Sequence, residues 1–198
     1  MPPSARAVAR SGWLAWPVAV LATLGLVGQA SYSAFSAKVS NAGNSLAVGT
    51  VVLGDDDAGS ALLSLTNLKP GSSGSRCVAV TSSGTLASAV RLYAADATTT
   101  RGLASSVTLT ITQGTGASFG GCAGFTPLAS GSSVYTGTLA AFTGAATGYA
   151  SGVGTWTPSG TAAETRTFQV SYLVSTTTPD SAQGGTAAFA LTWEAQNT

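Results

Sequence analysis

Apolar and polar residues alternate one by one along most of the chain after residue 34. Such a period of two is typical of strands that bury one face of an antiparallel sheet. The clearest alternation lies at 165–174, where Phe168, Val170, Tyr172 and Val174 share one face, and it recurs at 107–112 and 187–195. Further strands are predicted at 46–53, 61–68, 76–82, 86–94 and 133–140.

Clusters of Gly, Ser, Asn and Asp separate these segments, for example at 54–57, 69–72 and 183–185. Many short strands with turn residues between them, and no long helical repeat, predict an all-β antiparallel sandwich. Residues 95–104 and 113–162 are rich in Ala, Gly, Ser and Thr. We expect long surface loops there, with room for a short helix.

Residues 1–33 have the pattern of a secretory signal peptide. Arg6 and Arg10 precede the apolar run 13–27. This run is shorter than the roughly 20 residues that a membrane-spanning helix needs. An uncleaved membrane anchor is the alternative, and the short run argues against it.

Small residues mark the expected cleavage position. Ser31 and Ser33 stand at −3 and −1 of the bond before Ala34, where a signal peptidase accepts small side chains. We therefore expect cleavage between Ser33 and Ala34. The product would be a single domain at 34–198, secreted into the extracellular space and without a stable membrane anchor.

The two cysteines, Cys77 and Cys122, both lie in the part expected to be exported. An even number of cysteines in an oxidising compartment favours a disulfide. Two unpaired thiols are the alternative, which is commoner in the cytosol than outside the cell.

The charge and the composition exclude several functions. Charged residues make up only 8% of the chain and the net charge is +1, so no basic field for nucleic acid exists. The chain has no histidine, which excludes a Ser-His-Asp triad and any zinc site built on imidazole. We therefore expect neither an enzyme nor a cofactor, and no metal site.

Three local features have both a functional and a structural interpretation. The run Asp55–Asp57 offers oxygen ligands for calcium but lacks the spacing of an EF-hand, so we expect a solvated turn. Trp156 and Trp193 could stack on sugars, but a Trp at an inward strand position is usually in the core. The glycines of 114–124 precede no Lys and do not form a phosphate-binding loop.

Four stretches of the chain resemble the TasA/camelysin family of exported matrix and cell-surface proteins of Gram-positive bacteria. The closing stretch 182–196 is similar to the family's "Y-Q-G-D/N" turn and "F-x-F-x-W/F-E-A-x-Q" strand. The other three are 31–41 at the cleavage site, 44–53 like "N-x-F-x-A/S-G-T-L-x-L", and 68–86, with turns like "N-L-K-P-G-D" and "N-x-G-S-L".

The resemblance covers about 28–94 and 163–196 and leaves the middle unmatched. It implies a jelly-roll sandwich, processing by a dedicated signal peptidase, and assembly into extracellular fibres. Some members carry a metallopeptidase label, but this chain lacks His and the H-E-x-x-H motif, so a zinc mechanism has no basis here. The low charge and the two cysteines depart from the family pattern.

The first residues after the expected cleavage alternate as a strand, with Phe35, Ala37 and Val39 on one face. Residues 34–44 are therefore a candidate donor strand and hinge, and the hypothesis is a homo-oligomeric fibre built by strand donation. In the alternative, 34–40 pairs within its own sandwich. The competing functions are a monomeric surface or matrix binding module using 113–162 and, less favoured, a secreted peptidase.

Overall fold

The structure is a computed structural model, and it describes residues 36–39, 50–59, 62–63 and 68–198. The strands in these ranges form two sheets in which every pairing is antiparallel. The strands are β1 Ser36–Val39, β2 Leu53–Asp55, β3 Ser73–Ser82, β4 Ser88–Thr99, β5 Val107–Thr115, β6 Thr126–Pro127, β7 Ser133–Thr138, β8 Val153–Trp156, β9 Glu164–Val174 and β10 Ala187–Asn197. One sheet has the order β1-β10-β4-β8, and the other has the order β2-β3-β9-β5-β6 with β7 also paired to β5.

The two sheets share one apolar core. Phe168 of β9 lies between Trp156 of β8 and Trp193 of β10, with ring centroids 6.3 Å and 5.2 Å apart. Along β5, Val107, Leu109 and Ile111 are buried, as the alternation predicts. The sheets confirm the prediction of an all-β antiparallel fold.

One short helix, α1 Leu139–Ala145, follows β7 directly. The hydroxyl of Thr138 accepts a hydrogen bond from the Ala141 N–H at 3.1 Å and caps the first turn. Leu139 and Phe142, three positions apart, are both buried, so one face of the helix contributes to the core. A short helix within 113–162 was expected, whereas the strand predicted at 133–140 ends at Thr138.

Other strand boundaries also differ from the predictions. In the segment 46–53, described from residue 50, only Leu53 is in a strand, and that strand continues to Asp55 in the expected turn. In 61–68, the described residues Leu62, Leu63 and Leu68 are in no strand. β4 runs on to Thr99 through an expected loop, because its far end pairs with β10 from Ala187 onward.

No helix among the described residues has both the length and the apolarity needed to cross a lipid bilayer. The expected signal peptide, with Ser31, Ser33 and Ala34, lies outside the described residues. Cleavage at Ser33 therefore stays a prediction.

Candidate functional site at the β1–β10 edge

The N-terminal strand β1 lies at the edge of the four-stranded sheet, antiparallel to the last strand, β10. Within the described residues it covers four of the eleven residues of β10. The pairing thus joins the two ends of the domain through a short main-chain ladder. The register pairs are Ser36–Gln196, Ala37–Ala195, Lys38–Glu194 and Val39–Trp193.

The register assigns alternate residues of β1 to the two faces of the sheet. Residues directly opposite each other in an antiparallel pair lie on the same face. Ala37 and Val39 are therefore on the face of Ala195 and Trp193, which are 0% and 4% exposed. The structure thus has the described part of the candidate donor strand paired within its own sandwich, which is the alternative to donation, and Phe35 lies outside the described residues.

The opposite face of the sheet holds a buried carboxylate, Glu194, which is only 3% exposed. Tyr93 on β4 donates its hydroxyl hydrogen to Glu194 Oε2 at 2.8 Å, and Gln196 Nε2 donates to Oε1 at 3.1 Å. In register, Glu194 stands between Lys38 of β1 and Arg91 of β4. The carboxylate is thus flanked by a cationic residue type on each neighbouring strand.

Tyrosine side chains cover part of this face. Burial, together with the hydrogen bond to Glu194 and its charge, raises the pKa of Tyr93 to about 12. The Tyr149 hydroxyl donates to the Ala89 carbonyl at 3.0 Å, and burial raises its pKa as well. Both hydroxyls therefore stay protonated at neutral pH and act as hydrogen-bond donors.

A disulfide connects a loop to a strand of the other sheet. Cys77 of β3 and Cys122 form a disulfide with their Cα atoms 5.2 Å apart. The Gly120 N–H donates to the Cys77 carbonyl at 2.9 Å, which holds the same loop against the strand. The disulfide therefore attaches the loop between β5 and β6 to β3.

The aspartate run supports this loop. Asp56 Oδ1 accepts the Ala79 N–H at 2.8 Å, and Asp56 Oδ2 accepts the Phe119 N–H at 2.7 Å. Asp56 is exposed and lies in a bend, as expected of a solvated turn, and its carboxylate also connects two chain segments. Burial, then the neighbouring Asp57 carboxyl, raises the pKa of Asp55 to about 6.

The other local features have structural roles. Trp156 and Trp193 are both core residues with 4% exposure, as expected. A Cβ at Gly114 would collide with the Thr126 carbonyl and the Phe125 ring, so glycine permits the close pairing of β5 with β6. Among the described residues, no group of three or more His, Cys, Asp or Glu is placed to hold a metal ion.

No protein-family model matches the chain, and no curated protein matches its sequence. The role of Glu194 is a feature that the sequence reading missed. Glu194 stood within the matched closing motif, and the available signal was a single acidic residue in an otherwise apolar and small-residue strand.

Proposed function

We propose that the mature chain is a secreted structural protein, a subunit of extracellular matrix or cell-surface fibres that assemble by donation of the N-terminal strand. The resemblance to the TasA/camelysin family, with its jelly-roll sandwich, supports this proposal. The observation that carries it is the position of β1, a four-residue edge strand at the start of the domain, paired only with β10 within the described residues.

Strand exchange conserves the interactions of this edge. If β1 of one molecule occupies the β1 position of the next, the same four register pairs form between molecules. The free-energy difference between the two states is then small, and protein concentration decides the balance. Because each subunit gives one strand and receives one at a different place, head-to-tail exchange propagates as a filament.

Processing would control the timing of assembly. Before cleavage, the residues ahead of Ser36 belong to the signal peptide or join it directly. A strand attached to a membrane-bound signal cannot reach a neighbour freely. Removal of residues 1–33 would leave only Ala34 and Phe35 before β1 and release the donor.

A cysteine cross-link distinguishes donation from pairing within one chain. Ala37→Cys with Ala195→Cys places two thiols at directly opposite positions. Under oxidation we expect covalent multimers from fibres on a non-reducing gel, and internally linked monomers from dilute protein. The matched control is Ala37→Cys with Ala188→Cys, because Ala188 lies on β10 outside the segment that β1 covers.

Size-exclusion chromatography and negative-stain electron microscopy of the 34–198 protein complete the test. Fibres whose cross-links join different chains support the proposal. A protein that stays monomeric at high concentration across pH and salt contradicts it and favours the monomeric binding module. Fibres that contain only internal cross-links also contradict donation, because they must assemble through another surface.

A further inference from the structure

We propose that Glu194 sets the register of the strand in the β1 position, so that the 193–196 segment of β10 selects an extended strand with a cationic residue opposite Glu194. The occupant is the N-terminal strand of this chain. That it comes from a second copy rests on the proposed function, whereas the register rule holds whichever molecule provides the strand.

The carboxylate of Glu194 is buried. Glu194 is 3% exposed, and an ionised carboxylate is stable there only with charged or hydrogen-bonding partners. Tyr93 and Gln196 donate hydrogen bonds to its two oxygens. Both donors are neutral, and the register places a cationic residue opposite Glu194 on each neighbouring strand.

The register places one of these cationic residues on each side of Glu194. Arg91 and Lys38 stand opposite Glu194 on the two neighbouring strands, and Arg91 Nη1 also donates to the Gly154 carbonyl. Lys38 is the only charged residue between Ala34 and Gly54. The N-terminal strand thus carries a single cation, at the position opposite the buried carboxylate.

The alternative registers of β1 differ in the residue that they place opposite Glu194. A slip by one residue moves Ala37 and Val39 to the other face, which the buried Trp193 and Ala195 positions disfavour. A slip by two keeps the faces but places Ser36 or Ser40, instead of Lys38, opposite Glu194. Apolar alternation alone cannot distinguish the two-residue slips from the native register, whereas the charge pair can.

The test moves the cation by two positions in the full mature chain. The variant with Lys38→Ser and Ser40→Lys keeps the composition, and its lysine faces Glu194 only if the strand slips by two. Two reporters read the register under oxidation. Ala37→Cys with Ala195→Cys reports the native register, and Ala37→Cys with Asn197→Cys reports the slip, since Asn197 would then face position 37.

In the parent chain we expect the native-register cross-link to exceed the slipped one by about tenfold, as an energy difference of about 1.4 kcal/mol produces. In the exchanged variant the slipped cross-link should predominate. Glu194→Gln, which keeps the shape of the side chain, should make the ratio independent of the lysine position. Near-UV circular dichroism establishes that each variant is folded.

An unchanged ratio in the exchanged variant, or a lysine effect that persists with Glu194→Gln, overturns the register rule. The proposed function fails separately, because cross-links that remain within one chain exclude donation whatever their register. Peptide mapping by mass spectrometry identifies which cysteines are joined, and the mass of the linked species identifies whether one chain or two are involved.

Discussion

Removal of the disulfide should destabilise the domain strongly without unfolding it. The change is Cys77→Ala with Cys122→Ala. Alanine is preferable to serine because Cys77 is 0% exposed, and a serine would bury a hydroxyl without an assured partner. The loop keeps two other attachments, the Gly120 N–H bond to the residue 77 carbonyl at 2.9 Å and the Phe119 N–H bond to Asp56 at 2.7 Å.

The magnitude follows from the length of the closed loop. The two cysteines are 45 positions apart, and the chain-entropy model gives about 4 kcal/mol for a loop of that length. Engineered and native disulfides often deliver less, because the unfolded chain retains structure. We therefore expect the free energy of unfolding to fall by about 3 kcal/mol.

Urea denaturation followed by tryptophan fluorescence measures this change, because Trp156 and Trp193 are buried in the core. Thiol labelling of denatured, non-reduced protein from culture medium provides the companion measurement and should find no free thiol. A loss below about 1 kcal/mol would show that the loop-closure reasoning is wrong. Two labelled thiols would show that Cys77 and Cys122 are not bonded in the exported protein.

A double-mutant cycle with Asp56→Asn tests whether the disulfide and the carboxylate restrain the same loop. With the disulfide present, the loop is already held near Asp56. The hydrogen bond to Asp56 then forms with little further loss of conformational entropy, so it contributes more to stability. We expect Asp56→Asn to lower stability by about 1 kcal/mol in that background and by less without the disulfide. Equal effects in both backgrounds would indicate that the two restraints are independent.

Three further predictions concern the Asp55 carboxyl, the Tyr93 hydroxyl and the cleavage site before Ala34. The pKa of Asp55 is raised to about 6, so above the ordinary carboxyl pKa of 3.8 the folded state keeps a proton that the unfolded state loses. Stability should therefore fall as pH rises from 3.8 to about 6. Asp55→Asn should remove that slope and, since the carboxyl is partly solvent-screened, add about 1 kcal/mol at pH 7 in urea denaturation. Tyr93, with its pKa raised from 10.0 to about 12, should make stability decline as pH rises through that range, and Tyr93→Phe should flatten the decline in thermal unfolding scans. N-terminal sequencing of the secreted protein should begin at Ala34, and an intact N-terminus in the membrane would contradict cleavage after Ser33.

The strands that form the centre of each sheet were predictable because their own residues alternate. β5, β9 and β10 each carry apolar residues in alternation on their core-facing side, and Phe168 and Trp193 mark that side in the sequence. β8 was missed because its four residues include Gly154 and show little alternation. Its structure depends on pairing with β4, where Trp156 lies opposite Val90, and such a long-range pairing leaves no local pattern.

The polar contacts were less predictable than the apolar ones. The disulfide between Cys77 and Cys122 was predictable because the chain has only these two cysteines. The role of Asp56 depends on Ala79 and Phe119, which are 23 and 63 positions away. The burial of Glu194 likewise depends on Tyr93, 101 positions earlier. Local sequence does not show which distant backbone N–H group or hydroxyl will donate a hydrogen bond to a carboxylate.

The β1–β10 ladder also has a consequence for the order of folding. Ser36 pairs with Gln196, and Ser88 pairs with Asn197, so the four-stranded sheet cannot close before the last residues of the chain are available. Domains dominated by such distant pairings fold in milliseconds to seconds, whereas a ribosome adds about 5–20 residues each second. The growing chain therefore cannot complete the four-stranded sheet until β10 has been synthesised. If the chain is exported as proposed, the four-stranded sheet would form only after residues 187–197 have passed through the membrane channel.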